Sequence, residues 1–551
     1  MCGIAGILSP DQHEISNHRL KLMTDAIAHR GPDGEATWID DKFQVGLGHR
    51  RLAIIDLGNG GRQPMHYGKR FTIVFNGEIY NYLELKKELI ARGCDFHSES
   101  DTEVILAAYS VYKEDCLRHF DGMFSFAIWD ENEQQLFAAR DRFGEKPFYF
   151  HYEASSHTLL FASEMKSLWA AGVPREIDHR MMLTYLSLGY VQNPANSAET
   201  FFQQIFSLSP STYLIYSAIG RGVKISQYYV PVKTHFENAP DLESASAQFS
   251  ALFSASVSQR LRSDVSVGAS LSGGLDSSSI VSMIGSLTPP EKFSLLSTFS
   301  AVFPGFDKDE SQHIRRIVQY KGIKNFQVEP TASQLLKDFQ KICHHQEEPF
   351  PSSSIYTQYR VYELAKLHGV TVLLDGQGAD EVLAGYPKYI HWYLQELIST
   401  GRKSKVNSEL SAFSQTHPNL QWSWRNKLAA IMPVSAARAL SRKARRAVID
   451  QPDITGEYKQ AYTEESRFTK PVIRNLENLL TYNRSSFGLE ELLRFSDRNS
   501  MAHGCEVRLP FLYHPLVEFV SALPSEMKFH QGFGKYLLRF CMKTQLPPEI
   551  C

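Results

Sequence analysis

The sequence predicts an α/β protein of two parts, an αββα sandwich followed by an α/β domain built on a parallel sheet. Three observations predict it. Residues 2–56 and 71–80 alternate apolar and polar positions with a period of two, as in 44–48 and 71–75, with helical stretches farther on. In the second half, apolar strands at 265–271, 293–303 and 370–374 alternate with helical stretches such as 311–320, the order that builds a parallel sheet covered on both faces. Finally, 551 residues exceed what a single core supports, so two domains of about 200–300 residues each are expected.

Taken in order, Cys2-Gly3-Ile4-Ala5-Gly6-Ile7 is a short strand headed by a cysteine. Removal of Met1 would put a thiol and a free α-amine on one residue. With an ordinary pKa of about 8, that amine can take the thiol proton without a histidine. Cys2 is therefore the candidate nucleophile, although a lone Met-Cys start is ordinarily structural. Helices are predicted at 81–93 and 102–120, and strands at 122–129, 135–140, 147–152 and 158–162. A polar stretch with Pro231 and Pro240 marks a linker at 232–245, dividing a domain at 2–231 from one at 246–551.

The second domain opens with a buried strand that runs into Ser272-Gly273-Gly274-Leu275-Asp276-Ser277-Ser278 and then a helix. This layout gathers backbone N–H groups and small hydroxyls at a helix N-terminus, where anions bind. It lacks the GK[ST] ending of a Walker loop. The strand at 370–374 repeats the layout, running into Asp375-Gly376-Gln377-Gly378-Ala379-Asp380-Glu381. Residues at the carboxyl ends of neighbouring parallel strands converge on one ligand. The basic stretch within 400–480, including Arg442-Lys443-Ala444-Arg445-Arg446, is expected to be a solvated helix face.

Bulk properties narrow the class. A formal charge of −2 gives no global bias toward nucleic acid or anionic membranes. No apolar run approaches the ~18 residues of a membrane span, and the N-terminus lacks the pattern of a signal peptide. The seven cysteines show no CxxC spacing, which points to reduced thiols and a cytoplasmic setting.

Cys2, His29-Arg30-Gly31-Pro32-Asp33, His49-Arg50-Arg51-Leu52, Phe75-Asn76-Gly77-Glu78-Ile79-Tyr80 and Glu99-Ser100-Asp101-Thr102-Glu103 occur in that order. Together they resemble the class II glutamine amidotransferase domain of glutamine-hydrolysing asparagine synthetases. The resemblance implies the N-terminal-nucleophile version of the αββα sandwich. It assigns the oxyanion of the attacked glutamine amide to the Asn76 side chain and the Gly77 N–H. Arg51 suits the glutamine carboxylate, while Asn76, Glu78 and Asp101 complete the glutamine site.

The segment from Leu271 to Ser277 resembles the pyrophosphate loop of ATP pyrophosphatases, which implies ATP bound by Leu271, Ser272, Gly273, Gly274, Leu275, Asp276 and Ser277, with Asp375 and Gly376. An aspartate inside an anion cradle implies Mg²⁺, shared by Asp276 and Asp380. Gln377 and Asp380 fall at the acceptor site. Here the sequence departs from the family, which commonly carries glutamate at the position of Gln377 and serine or threonine at that of Asp375. Glutamine cannot take a proton at neutral pH, so ammonia attack needs another proton acceptor, Glu348 or the released phosphate oxygens. Segments 497–503, 506–512, 534–539 and 546–550 continue the resemblance. The family usually adds a basic segment with a phosphate-contacting lysine. This sequence ends at Cys551, so it is truncated, Lys535 or another basic residue substitutes, or the synthetase half is impaired. The expectation is a cytoplasmic homodimer that amidates aspartate with nitrogen from glutamine. The alternatives are another acceptor, such as a sugar uronic acid or a peptide carboxylate, and a glutaminase or regulatory module with an inert second half.

Overall fold

The computed structural model describes residues 2–551 apart from 43, 221, 232–238, 441–451, 465–466 and 468–470. The basic run 442–446 and half of the expected linker thus lie outside the described residues.

Twelve strands form the first domain: β1 (Gly3–Leu8), β2 (Gly34–Ile39), β3 (Val45–Arg51), β4 (Met65–Tyr67), β5 (Phe71–Ile79), β6 (Gly122–Asp130), β7 (Gln135–Arg140), β8 (Tyr149–Glu153), β9 (Thr158–Ala162), β10 (Phe206–Ser207), β11 (Thr212–Ser217) and β12 (Gly222–Gln227). They make two six-stranded sheets, ordered β10-β8-β9-β1-β3-β2 and β12-β11-β7-β6-β5-β4. The period-two pattern explains how the sheets stack. Ile4 and Leu8 point between the sheets toward Val74 and Trp129. Ala5 and Ile7 point the other way, onto Leu20 and Met23 of helix Asn17–Asp25. Ile73 and Phe75 face Leu85, Leu89 and Val104 of the helices beneath the second sheet. The result is the expected αββα sandwich.

Several boundaries differ from the expectation, three of them for a local reason. Helix Asn17–Asp25 interrupts the stretch read as strand, started by the Ser16 side chain accepting from the Arg19 N–H. The helix from 102 stops at Tyr112, because Lys113 takes a left-handed conformation at φ 52°. Helix Leu242–Arg260 starts inside the expected linker, capped by the Asp241 side chain on the Ser244 N–H.

The second domain holds a five-stranded parallel sheet of β13 (Val267–Ser270), β14 (Ser297–Ala301), β15 (Lys324–Val328), β16 (Val372–Leu374) and β17 (Glu506–Arg508), ordered β15-β14-β13-β16-β17. Strand order reverses between β13 and β16, and such a switch point is where open α/β sheets hold ligands. Both motif loops leave from these two strands. Among the described residues no helix is long and apolar enough to cross a membrane. All seven cysteines are free.

Candidate active sites

The first site lies where β1 and β5 meet. The Cys2 N–H donates to Asn76 Oδ1 at 2.9 Å, and the Cys2 carbonyl accepts from Arg30 Nε at 3.0 Å. With its oxygen taken, the Asn76 amide turns Nδ2 into a buried position without a hydrogen-bond partner, a free donor beside the thiol. Gly77 follows at φ 153°, and a Cβ there would stand 2.0 Å from the Met123 carbonyl, so this turn of the strand requires glycine. Burial pushes the Cys2 thiol up, so it needs a base to ionise.

Cys2, Arg51, Gly77, Glu78 and Asp101 line one pocket. Asp101 accepts the Ile79 N–H at 2.9 Å, and burial pushes its carboxyl up to about 6. Burial and then the Asp101 charge hold the Glu78 carboxyl well above the ordinary range. Two crowded carboxyls, with the Arg508 guanidinium no closer than 3.8 Å to Glu78, suit an ammonium guest. Arg51 gives its guanidinium to the carbonyls of Asp56 and, at 2.8 Å, Gly58. It faces the pocket, but through a loop that it also holds.

The second site lies at the ends of β13 and β16. After Leu271, which is buried, Gly273 turns at φ 79°, and a Cβ there would stand 2.7 Å from the Ile314 nitrogen. The Ser277 hydroxyl accepts the Ser272 N–H at 3.2 Å and holds the loop closed. Helix Leu275–Leu287 starts at this loop, with Asp276 in its first turn. Gly376 brings the other loop against it, since a Cβ there would be 3.1 Å from Asp276 Cβ.

Lys535 joins the two loops. Its ammonium binds Asp276 and stands 2.7 Å from Asp380. Gly385 makes room, because a Cβ there would meet Asp380 Oδ1 at 1.7 Å. Burial lowers the lysine pKa, but Asp276 and Asp380 outweigh it and hold the ammonium charged. Ser272, Gly274, Leu275, Asp276, Lys535 and Arg539 line a cleft of about 520 Å³, an ordinary size for a small-molecule site. Gly273, Ser277, Asp375, Gly376, Gln377 and Asp380 support this cleft or adjoin it without forming its wall.

Among the described residues no group of three or more His, Cys, Asp or Glu could hold a metal ion. Two carboxylates nevertheless fit Mg²⁺, which binds one or two carboxylates together with substrate phosphates. Asp276 Oδ1, buried without a hydrogen-bond partner, fits a cation as well.

Glu348 does not serve the acceptor loop. One oxygen accepts the Phe201 N–H at 3.0 Å and the other binds Arg494, so it ties the domains together. The carboxyl beside Gln377 is Asp375, which accepts the Gln377 N–H at 3.1 Å and is pushed up by burial. The sequence reading gave no role to Arg30 or Arg508, although both lie in its motif segments. Arg508 stands 3.8 Å from Glu78, while its carbonyl accepts the Asp375 N–H at 3.0 Å, so one residue touches both sites.

A cysteine-headed αββα sandwich joined to a parallel sheet with two glycine-containing loops at its switch point fits a glutamine amidotransferase fused to an ATP-dependent ligase domain. Residues 1–229 match the glutamine amidotransferase domain model and 248–551 the asparagine synthase model. All of this chain aligns with 85% of asparagine synthetase [glutamine-hydrolyzing] 1 of Bacillus subtilis (strain 168) at 31% identity, and with 85% of that organism's enzyme 3 at 32%. It also aligns over its whole length with 87% of amidase chry2 of Gibberella zeae, at 29% identity. The chain belongs to the glutamine-hydrolysing asparagine synthetase family and is a glutamine-hydrolysing ligase.

Proposed function

We propose that this enzyme moves the amide nitrogen of glutamine onto aspartate activated by ATP, giving asparagine, glutamate, AMP and pyrophosphate. The observation that carries the reading is the approach of Asp276 and Asp380 to one ammonium at the β13–β16 switch point, in a chain that also carries the Cys2–Asn76 pair. Aspartate as acceptor rests on the relatives' names. The division into domains at 2–231 and 246–551, and a homodimer, belong to the same proposal.

In the first site the α-amine of processed Cys2 takes the thiol proton, and the sulfur attacks the glutamine amide carbon. Asn76 Nδ2 and the Gly77 N–H receive the oxyanion. Ammonia leaves with a proton from the same amine, and water hydrolyses the γ-glutamyl thioester. Glu78 and Asp101 hold the substrate ammonium, and Arg51 its carboxylate.

In the second site Ser272–Ser277 cradle the ATP phosphates. Asp276 and Asp380 would hold Mg²⁺, which when bound offsets phosphate charge. The acceptor carboxylate attacks the α-phosphorus and pyrophosphate leaves. Ammonia attacks the acyl-adenylate carbonyl, and AMP departs. Asp375 takes the surplus proton, standing one turn of the loop from the position where relatives carry glutamate. Gln377, with a buried and unpartnered Oε1, orients the acceptor.

That unpartnered amide oxygen also favours a second reading, in which Gln377 donates and accepts hydrogen bonds with a different carboxylic acid. ATP/pyrophosphate exchange across a panel of acids tests both. Exchange with aspartate is expected. Exchange only with another acid replaces the acceptor, and none with any acid makes the second half inert.

A further inference from the structure

A small cavity of about 30 Å³ lies between the domains, walled by Glu145, Tyr149 and Gln192 on one side and by Glu490, Arg494 and Asp497 on the other. That volume admits a guest the size of water and excludes glutamine or an acid. The charges around it are paired. Arg140 meets Glu490 at 2.7 Å, Arg30 meets Asp497 at 2.8 Å, and Arg494 meets Glu348.

Glu145 is the exception. It is 5% exposed, and among the described residues its carboxyl makes no hydrogen bond or ion pair, with Oε2 buried and unpartnered. Its position is fixed by the backbone. The N–H groups of Phe143, Gly144, Glu145 and Lys146 all donate to the Asp141 carboxylate, and Arg140 holds the carbonyls of Gly144 and Lys146. A buried carboxyl held this firmly without a partner has a guest as its natural complement. Burial and the Asp141 charge push it up to about 8 against the opposing charges of Arg260 and Lys146, so at neutral pH it carries a proton to give.

Side-chain links lead from the cavity toward both sites. Arg30, which pairs with Asp497, holds the Cys2 carbonyl at 3.0 Å. The neighbouring Ser496 hydroxyl is 3.0 Å from that of Tyr362, whose phenol is pushed up by burial and then by the Asp375 charge.

We propose that Glu145 binds the nitrogen in transit between the sites as an ammonium ion; this rests on the amide-transfer reading above. Ammonia arriving from Cys2 takes the Glu145 proton. An N–H bond forms, the carboxyl O–H bond breaks, and an ammonium carboxylate pair fills the cavity. When the nitrogen moves on, the proton returns to Glu145 and neutral ammonia, the nucleophile, is restored. No other reactant is needed.

The test compares full-length wild type with Glu145→Gln, an isosteric change, using glutamine as donor. The ratio of amide product to glutamate is expected to drop by half or more in the variant, with glutamate formation and ammonium-driven synthesis unchanged. Glu145→Asp restores part of the ratio. Thallous ion, a probe for ammonium, gives an anomalous peak beside Glu145 in wild-type crystals and none in the Gln variant. A Gln variant as tightly coupled as wild type overturns the inference and leaves the reading intact. A wild-type enzyme that makes no amide from glutamine overturns the reading itself.

Discussion

Arg30 and Asp497 form a bidentate ion pair across the domain boundary, at 2.8 and 3.0 Å, with both side chains almost wholly buried. Arg30 Nε holds the Cys2 carbonyl, so Cys2 is anchored to the second domain through a single side chain. Glu164 and Arg498 extend the pair into a buried network, with contacts of 2.8 Å to Arg30 and 3.0 Å between them. Breaking a buried pair from one side strands the other charge. Arg30→Ala is expected to cost about 3–5 kcal/mol. Urea denaturation checks this; an unchanged midpoint would show that the interface does not need the pair.

The glutamine site is expected to fail in acid. Asp101 has a folded value of about 6, above the ordinary 3.8. Because the value is raised, protonated Asp101 favours the fold. Its contribution to stability is lost as pH rises through that window. Binding runs the other way, since only the ionised form holds the substrate ammonium. The kcat/KM for glutamine should therefore fall about tenfold per pH unit below about 6, while ammonium-driven synthesis shows no such limb. Asp101→Asn should be poor at every pH and lose the limb.

Asp276→Asn and Asp380→Asn each remove a charge that fits Mg²⁺ against the phosphates. Pyrophosphate release should collapse in both, while glutamine hydrolysis survives. Lys535, whose single ammonium bridges the pair, gives a sharper sign. Each Asn variant weakens its hold on the lysine and on the metal, so raising Mg²⁺ should not restore full turnover. Wild-type pyrophosphate release by either variant would remove these residues from the site.

In the proposed reaction Asp375 takes the proton and Gln377 orients the acceptor. General-base help is worth about 10²- to 10⁴-fold, so Asp375→Asn should lower turnover by that order with little change in ATP affinity. Adding Gln377→Glu should restore much of it. Gln377→Glu alone should be tolerated or mildly faster with aspartate. If it instead weakens binding of an acid that wild type adenylates in place of aspartate, the acceptor changes and the reaction class stands.

The sandwich was legible because its strands alternate strictly, as Ile73, Val74 and Phe75 do between two cores. Of the parallel strands, β13 and β16 were legible with the motifs that follow them and β14 by its apolar run. β15 and β17 passed unnoticed because polar residues break their short runs, Lys324-Asn325-Phe326-Gln327-Val328 and Glu506-Val507-Arg508. The site residues Cys2, Asn76, Gly77 and Asp276 stand in local motifs. Arg30 with Asp497 and Lys535 with Asp276 are separated by hundreds of residues, and only the fold makes them neighbours. Glu348 misled for the same reason: proximity in sequence to the acceptor loop said nothing of its engagement with Arg494.

The central claim is that one chain carries two separable sites joined by ammonia. Cys2→Ala tests it most directly, with amide product measured once from glutamine and once from ammonium. The account predicts no product from glutamine and near wild-type synthesis from ammonium. A folded variant that ammonium cannot rescue would contradict it.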